Sequence, residues 1–164
     1  MQTEQVKDKY YARDEQDYQL FYNFITSKSN RYHIEKMPDG DGIDAKMSAM
    51  TEDNKEVIRT YDIEIKVRDG YTVFDDILIE GYKWEKLMNE DNDHKWFFFY
   101  FPKSKQVEII DFKGWSRQDL EEYRDDARYA LPNKTLDDNG KRYYKKYIYY
   151  VPTKLFTGYT YEAR

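Results

Sequence analysis

The chain contains no cysteine. That excludes disulfides, thiolate metal sites and cysteine nucleophiles, and it fits an intracellular protein. Histidine is almost as scarce. His33 and His94 are the only two, and no spacing joins them into a metal or catalytic motif. Histidine-centred nucleases and Ser-His-Asp hydrolases are disfavoured on that ground, and each histidine is expected on a surface or an edge strand. Long hydrophobic runs are missing as well. The longest, Trp96 to Phe101, is far too short to cross a bilayer. Met1 to Gln5 carries neither the basic nor the apolar region of a signal peptide, so the expectation is a soluble, cytoplasmic protein with no membrane partner. No phosphate-binding glycine loop is present, because Gly40-Asp41-Gly42 lacks the lysine and helix that follow such a loop. Asp39 and Asp41 lack the EF-hand spacing to a final glutamate, so this stretch reads as a turn.

What is present is charge and aromatic mass. Of 164 residues, 36% are charged, yet 18% are aromatic, and those rings supply enough buried area for a folded core. The length suits one domain spanning 1–164. The formal net charge of -5 is unfavourable for nonspecific duplex binding, which draws on Lys and Arg to displace counterions. The distribution compensates in part. From Asn133 to Arg164 there are seven Lys or Arg against three acids, and Lys141, Arg142, Lys145 and Lys146 are the candidate phosphate contacts.

The apolar spacing of Tyr18, Phe21, Tyr22 and Ile25 predicts a helix over 14–27. An extended segment at 31–35 and a turn at 38–42 follow. A strand is expected over 43–50, a polar turn over 51–55, and the clearest strand of the chain over 56–68, where apolar and charged residues alternate. A short strand at 77–80, a helix at 82–88 and strands at 95–102 and 106–112 come next. The near-continuous apolarity of Trp96 to Tyr100 marks a strand buried on both faces. Ser116, with Asp119 three residues on, resembles a capping box. It opens a helix with Leu120, Tyr123, Ala127 and Leu131 on its buried stripe. A tyrosine-rich strand over 142–151 is the last element. The order predicts an α/β (α+β) domain: a single mixed β-sheet flanked by helices.

Within that frame the chemistry concentrates at Asp44 and Glu64-Ile65-Lys66. Residues two apart on a strand share a face, so Glu64 and Lys66 project together. A hairpin symmetric about Asn54 sets position 44 opposite 64, whereas a turn centred one residue earlier sets it opposite Asp62. Two carboxylates and an ammonium on one patch match the needs of phosphodiester hydrolysis. A cation must neutralise the nonbridging oxygens and lower the pKa of the attacking water. Mg²⁺ (or Mn²⁺) takes hard oxygen ligands and keeps several waters, so Asp44 and Glu64 suffice as the protein share. The Ile65 backbone carbonyl is placed to help, and Lys66 would hold the water or stabilise charge on phosphorus. The competing interpretation is a solvated strand face bearing a marginal ion pair.

Gly42-Ile43-Asp44 followed by Asp62-Ile63-Glu64-Ile65-Lys66 resembles the PD-(D/E)XK phosphodiesterase superfamily, the restriction-endonuclease-like fold. Ile79-Glu80-Gly81-Tyr82-Lys83-Trp84-Glu85 looks like the strand-to-helix step that follows its ExK strand. The resemblance covers roughly 14–112 and leaves a C-terminal helix and basic tyrosine-rich strand over 116–164. It implies a Mg²⁺-dependent endonuclease acting on DNA, with Asp44 and Glu64 as metal ligands and Lys66 as the catalytic lysine. Asp62 competes with Glu64. Some members add a carboxylate from the first helix, for which Glu15 is the candidate, with Asp14 or Asp17 as alternatives. Lys83 is a further basic residue within reach of the phosphate in that family's helix. Many enzymes of this fold cut both strands as dimers, so a homodimer is compatible with the resemblance. The alternative function is a noncatalytic binding or assembly protein, using a tyrosine-rich sheet surface around Tyr143, Tyr144, Tyr147, Tyr149 and Tyr150.

Overall fold

A computed structural model describes residues 4–38, 42–125 and 147–163, with side chains in the first helix from Arg13 onward. The elements are α1 (Glu4–Lys28), β1 (Tyr32–Lys36), β2 (Ala45–Met50), β3 (Val57–Val67), β4 (Asp76–Glu80), α2 (Gly81–Met88), β5 (His94–Phe101), β6 (Gln106–Asp111), β7 (Ile148–Pro152) and β8 (Thr157–Thr160), with 3₁₀ helices at Arg117–Tyr123 and Thr153–Leu155. Six strands form one mixed sheet in the order β1-β2-β3-β5-β6-β8. The β3–β5 pair is parallel and its neighbours are antiparallel. The connection from β3 to β5 therefore has to cross the sheet, and β4 and α2 make that crossing.

β5 divides the core. Phe98 and Tyr100 point to the α1 side, where Phe21 meets Phe98 edge-on at 5.1 Å between ring centres and Phe24 packs beside them. Phe97, Phe99 and Phe101 point to the other side, against Trp84 and Leu87 of α2 and Ile79, Tyr149 and Val151. The expected strand buried on both faces is present. α1 is longer than its predicted span and its buried stripe is Phe21, Phe24 and Ile25. Tyr22, expected to face inward, is exposed instead, because the i, i+3, i+4 set centred on Phe98 selects position 24.

Two further expectations are corrected. The strands do not form a single sheet, since β4 pairs with β7 in a separate two-stranded sheet. The helix opened at Ser116 is 3₁₀ and ends at Tyr123. Arg124 adopts an extended backbone (φ -70°, ψ 135°) and bridges to Tyr149, so the segment turns into a sheet contact. Its capping interaction is present, with the Ser116 N–H donating to Asp119 Oδ2 at 2.6 Å. Ala127 and Leu131 lie outside the described residues, as does the 142–146 part of the last predicted strand. β8 was not anticipated; it pairs antiparallel with β6. Among the described residues, no helix is long and apolar enough to cross a membrane.

Candidate active site

The β2–β3 hairpin fixes the site. Asn54 takes a left-handed backbone (φ 56°) in the turn, and Ala45 pairs with Ile63 and Lys46 with Asp62. Asp44, one residue before β2, stands opposite Glu64 when this register is extended, although its own N–H slips by one residue to the Ile63 carbonyl at 3.1 Å. Position 44 thus faces position 64, as the hairpin symmetric about Asn54 requires. Where β2 ends, the Asp44 carboxylate takes over the ladder, and its Oδ2 accepts the Ile65 N–H at 2.8 Å. In an antiparallel pair, a residue's N–H and carbonyl leave the strand on the same side. The Ile65 carbonyl accordingly faces the Asp44 edge of β3.

Glu64 is buried, at 1% exposure, and its carboxyl lies within hydrogen-bonding reach of Asp44. The interpretation of Glu64 as a solvated strand residue is ruled out by that burial. Lys83, projecting from α2, brings Nζ to 3.4 Å from Glu64 Oε2. Burial pushes the Glu64 carboxyl up to about 8, the Asp44 charge adds to the rise, and Lys83 opposes it. Burial works against the Lys83 charge, but Glu64 and then Asp44 outweigh it and raise its pKa above the ordinary value. The other Glu64 oxygen, Oε1, is buried without a hydrogen-bond partner among the described residues.

Lys66 takes a different direction. It shares the Glu64 face of β3, but its half-exposed ammonium pairs with Glu80 Oε1 at 3.6 Å. Asp62 is fully buried and anchored: it accepts the Asn92 N–H and Nδ2, each at 2.9 Å, and Lys95 Nζ at 3.3 Å. These donors occupy both of its oxygens, which removes it as a rival to Glu64. Glu15 is exposed and ion-paired with Lys36. The α1 carboxylates that line the site cleft are Asp14 and Asp17 instead, because they sit on the helix face turned toward the end of β3. Burial lifts the Asp17 carboxyl to about 6, with Arg13 opposing and Asp14 and Asp69 reinforcing the rise.

The cleft has a volume of about 310 Å³ and is walled by Asp17, Tyr18, Lys36, Asp44, Ile65 and Lys83. α1 and β1 form one side, the β2 and β3 ends the floor, and α2 the other side. No three Asp, Glu or His side chains among the described residues form an all-protein metal cage. His33 is exposed on edge strand β1, and His94 pairs with Asp111 at 2.6 Å and packs on Tyr61, so neither joins the site. Lys141, Arg142, Lys145 and Lys146 lie outside the described residues. Of the C-terminal tyrosines, Tyr149 is buried against Trp84 and Tyr147 is half-buried over Gly81, where they serve as packing.

A scan against protein-family models and searches of curated proteins and of solved structures found no match to this chain.

Proposed function

We propose that this chain is a divalent-metal-dependent nuclease of restriction-endonuclease-like fold that hydrolyses phosphodiester bonds in DNA. The observation that carries the reading is the meeting of the Asp44 and Glu64 carboxyls beside the Lys83 ammonium at the edge of a cleft. The element order supports it: a leading helix, an antiparallel hairpin bearing both acids, and a parallel strand reached through α2.

The donor set fits Mg²⁺ or Mn²⁺. Two hard carboxylates and a backbone carbonyl are an adequate protein share for an ion that retains waters. A buried carboxylate oxygen with no donor, Glu64 Oε1, is stabilised by a cation more readily than by any neutral neighbour. Asp44, Glu64 and the Ile65 carbonyl would hold the ion, which supplies Lewis-acid stabilisation of the phosphate and a more acidic water.

The protein's own groups account for the remainder. The Ile65 N–H fixes the Asp44 carboxylate, so one ligand oxygen is oriented before substrate arrives. Lys83 is the cation nearest the acid pair. It takes the role that the sequence pattern gives to Lys66: neutralising a nonbridging oxygen as charge builds on phosphorus. Lys66, held by Glu80 at the flank, remains within the neighbourhood as a contact for an adjacent phosphate.

The test is cleavage of plasmid, single-stranded and branched DNA with Mg²⁺ or Mn²⁺, using wild type, Asp44→Asn, Glu64→Gln and Lys83→Met. Metal-dependent cleavage that is lost in the carboxylate variants is the expected result. Equal activity in all four proteins, or no cleavage by wild type on any substrate, overturns the assignment.

A further inference from the structure

We infer that the cleft binds single-stranded rather than duplex DNA, through two tyrosine–lysine pairs, one on its α1 wall and one at its α2 rim. The inference rests on the nuclease reading of the same cleft and specifies its substrate class.

On the α1 wall, Tyr18 lines the cleft and Lys36 Nζ stands 5.9 Å from its ring centre. At the α2 rim, outside the cleft lining, Tyr82 is 43% exposed, with the cleft-lining Lys83 at 5.5 Å and Lys86 at 5.7 Å from its ring. The α1 wall and the α2 rim therefore each offer an aromatic face beside an ammonium. A nucleotide presents the complementary set, a base with a π-face and a phosphate, and this combination of stacking platform and cation is how single strands are held without sequence preference.

Charge and size argue against a duplex. Duplex binding relies on many phosphate contacts to Lys and Arg, but the chain is net -5 and Asp14, Asp17 and Asp44 line the cleft itself. Attraction must come from something other than summed charge, and stacking supplies it. Asp44 and Lys83 line the cleft, so a phosphate that meets both has to enter it. A volume of about 310 Å³ lies at the small end of ligand pockets and admits one nucleotide unit, not a base-paired helix. Bases in a duplex are stacked on each other and have no face to offer a tyrosine.

The experiment is fluorescence anisotropy of a labelled oligothymidylate and of a matched-length duplex, in Ca²⁺ so that binding is read apart from cleavage. It is paired with Mg²⁺ cleavage assays on both substrates. The variants are Tyr82→Leu and Tyr18→Leu, which keep apolar bulk, and Tyr82→Phe and Tyr18→Phe, which keep the ring. Single-strand binding at least ~10-fold tighter than duplex binding is expected, weakened on the order of 10-fold by each leucine variant and little changed by phenylalanine. Equal or tighter duplex binding, leucine variants that bind as wild type does, or no binding of either DNA would overturn it. Cleavage with any of those binding results leaves the nuclease reading standing and removes this one. Ring-dependent single-strand binding without cleavage in Mg²⁺ or Mn²⁺ does the reverse.

Discussion

Lys83 Nζ lies 3.4 Å from Glu64 Oε2, whereas Lys66, two residues from Glu64 on the same strand face, is paired with Glu80. The acid pair thus draws its ammonium from the helix packed on its own face of the sheet. The reason is packing. α2 docks Trp84 and Leu87 into the core beside Phe97 and Phe99, and the residue between them and β4, Lys83, is delivered over the end of β3.

This arrangement separates the two lysines experimentally. Lys83→Met is expected to lower kcat for Mg²⁺-dependent cleavage by about 10²–10³, the scale for removing one group that stabilises transition-state charge. Lys66→Met is expected to lower it less than ~10-fold and to act mainly on KM. Steady-state kinetics on one oligonucleotide decides between them, and the reverse ranking refutes the Lys83 assignment.

Metal binding should follow the carboxylates. Calorimetric titration with Mn²⁺ is expected to show weak binding to wild type, at least ~10-fold weaker in Asp44→Asn and in Glu64→Gln, and unchanged in Glu15→Gln. Unaltered affinity in Asp44→Asn would remove the proposed ligand set.

Asp17 gives a pH dependence with a definite sign. Its carboxyl is lifted to about 6 in the fold, chiefly by burial, against an ordinary 3.8. Between those values the native state holds a proton that the unfolded chain has released. Stability associated with this group is therefore intact below about 3.8 and is lost as pH rises through 6. Asp17→Asn, which carries no charge, should melt on the order of 2 °C above wild type at pH 7.5, with the gap closing by pH 4. Thermal melts without divalent metal measure it; a constant gap across that range contradicts the assignment.

Asp62 should matter for stability rather than chemistry. Its buried carboxylate holds Lys95 and the Asn92 backbone, so Asp62→Ala strands an ammonium and an N–H in the interior. A loss of about 3–5 kcal/mol is expected from denaturant unfolding. Asp62→Asn, which retains one acceptor oxygen for Asn92, should lose less.

Gly81 opens α2 where the Tyr147 ring covers it, and an added Cβ would stand 2.1 Å from that ring. The Gly81 N–H also donates to the Tyr147 carbonyl at 2.9 Å, so the two segments cannot separate cheaply. Gly81→Ala is expected to destabilise by about 1–3 kcal/mol through overpacking. The double variant Gly81→Ala/Tyr147→Ala should recover part of that loss by removing the clash.

Much of the local structure was legible because it rests on short-range periodicity. The alternation from Val57 to Val67 and the apolar run from Trp96 to Phe101 each have the period of the element they form. The hairpin itself was legible, but its register was not: polar residues at 51–55 allow a turn centred on Asn54 or one residue earlier, and the pairing of Ala45 with Ile63 selects the former. The β4–β7 pairing and β8 were not legible. Two short strands distant in sequence carry no local mark of which partner each will take, and Thr157–Thr160 lacks any apolar run. The helix expected beyond Ser116 failed for a related reason: the cap is a local signal, but the bridge from Arg124 to Tyr149 is a long-range one.

The amino-acid order alone brought Asp44 within a pair or a diagonal of Glu64, because the two strands bearing them are joined by a short turn; the strand register of the folded hairpin chose the pair. Which lysine meets those acids, which α1 carboxylates border the cleft, and which tyrosines flank it were decided only by the packing of α1 and α2 on opposite faces of the sheet. A turn couples neighbours through a few backbone dihedrals, whereas a buried charge takes its partner from whatever element the core brings within hydrogen-bonding range.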